Sequence, residues 1–75
     1  MAKPRQVTGK EAVRAFERAG FRLDRINGSH HILKKAGHPG RLSVPVHAGE
    51  NLGKGLLREL IGIAGLTMDE FIALL

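Results

Sequence analysis

Two adjacent histidines, His30 and His31, follow a Gly28-Ser29 pair and precede Lys34 and Lys35. An imidazole can give or take a proton near neutral pH, and lysines beside it can hold a phosphate. In an extended strand, neighbouring residues point to opposite faces, so the two rings cannot share one task. Residues 30, 32 and 34 form one set and 31, 33 and 35 the other. With Leu33 turned inward, His31 lies inward or at the rim, and His30 and Lys34 point to the open face. With Ile32 inward the assignment reverses. The sequence leaves both parities open.

The same alternation argues against a metal. His30, His31, His38 and His47 are the only plausible soft ligands, no H-x-x-x-H pair falls on a helix, and no carboxylate is suitably spaced. Neither a structural zinc nor any other cofactor is expected. The absence of cysteine removes thiolate nucleophiles and a disulfide framework and suits the cytoplasm. "GENLGKG" (49–55) is one residue short of a P-loop and ends in Gly55 rather than Ser or Thr, so nucleotide hydrolysis is rejected. Gly53, Lys54 and Gly55 near a helix start could still favour a phosphate, although glycines that merely let a loop turn explain them as well.

Twelve Lys and Arg against seven Asp and Glu give a net charge of +5 and point to an anionic partner. Nucleic acid leads, and an acidic protein is compatible with it. Lys54 and Arg58 are one helical turn apart. Together with Lys34, Lys35 and Arg41 they could track a phosphate backbone. There is no Tyr or Trp, and the three Phe occupy apolar positions. Backbone and shape contacts are therefore expected rather than stacking on bases. RNA carries its own nucleophile, the 2′-hydroxyl, so a flat cationic surface with a well-placed imidazole suffices to cut it.

These residues need elements to position them. A 75-residue chain hides about 60–65% of its unfolded surface, which allows one domain, 1–75, with a thin core and no deep cavity. No apolar run approaches a membrane span, and the N-terminus lacks the apolar region of a secretory signal. Residues 1–7 read as a loose leader. "TGKE" opens a capping box at Thr8, and apolar positions at helical spacing carry a helix over 8–19, stopped by Gly20. "FRLDRI" (21–26) alternates as a half-buried strand does, and "NGS" (27–29) is turn chemistry. "HHILKK" (30–35) is the second strand and "AGHPG" (36–40) a turn. "RLSVPVH" (41–47) is an edge strand because Pro45 lacks an N–H.

After a loop over 48–55, Leu56, Leu57, Leu60, Ile61 and Ala64 make a helical stripe ended by Gly65. Thr67 and Glu70 then form a second capping box before Met68, Phe71, Ile72 and Leu75. The expectation is an α+β fold, helix, three-stranded antiparallel meander, helix and short helix, with helices on one sheet face. That is the element order of a double-stranded-RNA-binding-like (dsRBD-like) domain.

"GFRLDRINGSHHILKK" and "RLSVPVHAGENLGKGLLRELIGIAGLT" resemble the HicA (YcfA-like) family of toxin mRNA interferases over nearly the whole chain. The likeness rests on the G-S-H segment, a strand ending in Pro45 and His47, a glycine-lysine before the next helix and an A-G-L-T tail. It implies a dsRBD-like, metal-independent endoribonuclease that cuts mRNA and arrests translation as the toxin of a type II toxin–antitoxin system. It also implies a HicB-type antitoxin that masks the site, with a monomer when free and a hetero-oligomer in the complex. The family's catalytic histidine falls on His30, with the neighbouring His31 as fallback. Gly28 and Ser29 match the turn, and His47 matches a supporting histidine. Expected RNA contacts are Ser29, His31, Lys34, Lys35, Lys54 and Arg58. The rival readings are a non-catalytic RNA-binding module of the same fold and a domain whose basic face only docks an acidic partner.

Overall fold

The structure is a computed structural model and describes residues 6–75. Its elements are α1 (Gly9–Arg18), β1 (Arg22–Asn27), β2 (His30–Lys34), β3 (Leu42–Pro45), α2 (Lys54–Ile63) and α3 (Met68–Ala73). The strands form one antiparallel sheet in the order β1-β2-β3, the expected meander, with Pro45 in an edge strand. Among the described residues, no helix is long and apolar enough to cross a membrane.

Both capping boxes form. The Glu11 N–H donates to the Thr8 hydroxyl (3.2 Å), and the Thr8 N–H donates to the Glu11 carboxylate (3.0 Å). Thr67 and Glu70 repeat the exchange at α3. Each cap satisfies backbone donors that a helix start leaves free, and such a cap contributes about 1 kcal/mol. The helices then bury one face against one side of the sheet. Phe16, Phe21 and Phe71 meet Leu33, Leu42 and Val44 there, with Leu57, Leu60 and Ile61 from α2. The Phe16 ring lies 5.1 Å from that of Phe71 and 6.2 Å from that of Phe21, centroid to centroid.

Helix α1 approaches β3 so closely that only glycine fits at the contact. A Cβ on Gly9 would lie 2.1 Å from the Pro45 carbonyl oxygen and 3.0 Å from Val46 Cα. Both are backbone atoms and cannot rotate away. Gly9→Ala is expected to cost about 1–3 kcal/mol, as overpacking does. At about 4–8 °C per kcal/mol for a chain of this size, that shift is resolvable in a thermal melt. A melt indistinguishable from the parent's would refute the close approach.

Two expectations are corrected. The leader is not loose where it is described. Val7 is only 2% exposed, its carbonyl accepts from the Leu52 N–H at 2.7 Å, and Thr8 bridges Asn51. Asn51 also donates to the Gln6 side chain at 3.0 Å. An apolar side chain and a free backbone edge were enough to dock this segment beside the loop before α2. Residues 1–5 of the expected leader lie outside the described residues.

The second correction concerns β1, which is exposed along its whole length rather than half-buried. Leu23 is 44% and Ile26 56% exposed. The register slips between Leu23, opposite Leu33, and Arg25, opposite Ile32, leaving Asp24 as an extra residue. Directly opposed side chains share a face. Leu23 and Ile26 therefore both point to the helical side, beyond the buried positions of β2 and β3, and Arg22 and Arg25 both point to the other side.

Candidate active site

The turn that presents the histidines is two residues long. Asn27 completes β1 opposite His30, and Gly28 takes φ 62° at the first turn position. A positive φ there, followed by an ordinary Ser29, is the glycine-first hairpin turn whose twist suits antiparallel strands. The turn therefore centres on Gly28-Ser29, one residue later than the Asn-Gly pair suggests. Ser29 is half-buried, and its carbonyl accepts from the Val46 N–H at 2.8 Å, which fastens the turn to the end of β3.

Parity is settled by Leu33. It is fully buried and faces Leu42, so residues 31 and 33 belong to the helical side. His31 lies between Ile26 and Val44, half-buried, and its Nδ1 is buried with no hydrogen-bond partner. His30, Ile32 and Lys34 occupy the uncovered side, and His30 is exposed. Across the sheet, Asn27, His30 and Pro45 form one row on that side, and Arg25, Ile32 and Ser43 form the next. Arg22 and Lys34 stand opposite each other in the row beyond.

The cations divide by face. Lys34 is on the open side, but its Nζ is 3.2 Å from the Asp24 carboxylate. An exposed pair of this kind adds little stability, yet it offsets the charge that a phosphate would meet. Lys35 is on the opposite side. Its ammonium donates to the Ala19 carbonyl at 3.0 Å, at the end of α1, and lies 5.7 Å from the Phe21 ring centroid. A cation there complements the carbonyl end of the helix, so the structure places Lys35 in the architecture rather than beside His30.

Lys54 and Arg58 belong to the helical layer and line a cavity of about 210 Å³ with Gln6, Leu57 and Met68. The N-terminus of α2 nevertheless comes up at His30's end of the sheet, since Gly53 lines a crevice with Pro45 and His47. His47 is exposed with its Nδ1 3.9 Å from Glu50. His38 bonds the Ile63 carbonyl and meets the Phe21 ring edge-on at 5.4 Å, so it ties the β2–β3 loop to α2. Among the described residues, no three histidine or carboxylate side chains converge as a metal cluster would require.

Sequence reasoning passed over Arg22 and Arg25. Both are exposed on His30's side, and neither side chain has an ion pair or hydrogen bond among the described residues. The signal was present in "LDRI". Two polar residues between two apolar ones break strict alternation, which is what an inserted bulge residue does. The assembled surface is thus an imidazole on an uncovered sheet, flanked by an amide and a proline ring, with unpaired guanidinium groups along the adjoining strand. Such a surface can bind a polyanion and move one proton at a phosphodiester.

A family model described as the HicA toxin of bacterial toxin-antitoxin systems matches residues 9–66, from the first residue of α1 to the residue before the α3 cap. No curated protein matches the chain significantly.

Proposed function

The chain belongs to the HicA family of bacterial toxins, and from that premise we propose that His30 is the proton-transfer residue with which it cuts messenger RNA. The protein is an endoribonuclease of the mRNA-interferase type, the toxin of a toxin–antitoxin pair. The observation that carries the assignment to His30 is its position. It is the histidine of the G-S-H segment, exposed on the sheet side that no helix among the described residues covers, whereas His31 faces the helices.

In the reaction the 2′-oxygen bonds to phosphorus and the P–O5′ bond breaks. The 2′-hydroxyl loses one proton and the departing 5′-oxygen gains one. His30 carries one of these two transfers, and the substrate supplies the nucleophile. Asn27 and Pro45 flank the ring in its row, and the Gly28-Ser29 turn fixes where it stands. No step needs a metal. Cleavage should therefore proceed undiminished in EDTA and leave a 2′,3′-cyclic phosphate or its hydrolysed 3′-phosphate, read by end-group analysis of a labelled oligonucleotide. Strict dependence on added magnesium, or a 3′-hydroxyl product, would overturn this mechanism. The partner that restrains the free, monomeric toxin is a HicB-type antitoxin that covers this cationic face in a hetero-oligomer.

A further inference from the structure

We propose that Arg25 is the cation that holds the phosphate being cut, in place of Lys34, Lys54 or Arg58. The inference rests on the reading of His30 given above. Arg25 lies opposite Ile32, on His30's face and one row along. Diagonal neighbours of this kind are about 7–8 Å apart, a gap that a phosphate group fills when an arginine side chain leans across it. Lys34 is four residues along the same strand, about 13 Å away at the usual rise, and its ammonium is engaged by Asp24 at 3.2 Å. Lys54 and Arg58 stand in the helical layer. Arg25 is thus the unpaired cation nearest in register to the imidazole.

Its chemistry suits the step. As the 2′-oxygen adds and the 5′-oxygen departs, negative charge builds on the two non-bridging oxygens. A planar guanidinium can meet both at once, which a lysine cannot. The contact strengthens as that charge develops, so it lowers the barrier more than it tightens binding. The Asp24 bulge adds to this arrangement, since it brings Arg22 to the same face as Arg25 and sets a carboxylate beside Lys34.

The test is single-turnover cleavage of an RNA oligonucleotide in EDTA, with affinity measured in parallel. Wild type is compared with Arg25→Ala, Arg25→Lys, Lys34→Ala and His30→Ala. Arg25→Ala should lose about 10²–10³-fold in rate at saturating RNA, as loss of an oxyanion donor does, while affinity falls less than about tenfold. Arg25→Lys should recover part of the rate by restoring charge without the fork. Lys34→Ala should lose at least about tenfold less rate than Arg25→Ala, since Lys34 stands in the row beyond Arg25, farther from His30. The proposal is overturned if Arg25→Ala cuts at the wild-type rate, if it loses affinity alone, or if Lys34→Ala loses as much. The His30→Ala arm separates the two claims. An inactive His30→Ala beside a fully active Arg25→Ala removes only Arg25, and an active His30→Ala removes the underlying mechanism. Arg25 is exposed, so loss of folding, checked by circular dichroism, is not the expected cause of any change.

Discussion

His30→Ala should reduce RNA cleavage by about 10²–10⁴-fold, the range supplied by a positioned acid or base. Expressed from an inducible promoter, the variant should no longer arrest growth or degrade cellular RNA. The expectation is strong because the ring is exposed and buries nothing, so its removal leaves the core untouched. His31→Ala is the internal control. Its ring is one residue away and faces the helical side between Ile26 and Val44. It should still arrest growth, while its thermal melt shifts because a half-buried side chain is gone. The reverse pattern, with an inert His31→Ala and a toxic His30→Ala, would move the chemistry to the other face and end the present assignment.

Phe16→Ala should be equally disabling by a different route. Phe16 is fully buried and touches both other phenylalanine rings. Truncating such a side chain costs about 3–5 kcal/mol, through lost burial and the cavity left behind. Small chains sit near the lower end of the usual stability range, about 5 kcal/mol. The variant should therefore unfold in mild urea and lose toxicity with His30 intact. Equilibrium unfolding at 25 °C checks this, and a loss below about 1 kcal/mol would show that the rings do not centre the core. Comparing the two variants separates a toxin that cannot do chemistry from one that cannot fold.

Much of this architecture is legible in the chain because its signals are local. Thr8 with Glu11, and Thr67 with Glu70, carry both halves of a cap within four residues. The stripe from Leu57 to Ala64 announces its buried face by spacing alone. Pro45 declares an edge strand through a missing donor. His30 is legible as a candidate, but its direction is not. That depends on whether Leu33 or Ile32 turns inward, which only the helical layer decides.

Non-local features escape such reading. Val7 is docked by Leu52, forty-five positions later in the chain, and Lys35 is claimed by the end of α1. The exposure of β1 follows from where the helices stop, which no residue in "FRLDRI" encodes. Arg25 was missed because alternation counted from Phe21 sets it opposite to Arg22, whereas the register of the hairpin, with the slip at Asp24 absorbing the difference, puts both on His30's face.

That slip marks the one place in β1 where chain length is free to change. Removing Asp24 would leave a regular ladder, with Arg22, Arg25 and Asn27 still on His30's face and Leu23 and Ile26 still on the other. A single missing codon would thereby release the Lys34 ammonium from its carboxylate and leave every other charge where it stands. Natural drift and laboratory shuffling alike would meet a position that tolerates an altered count as readily as altered letters.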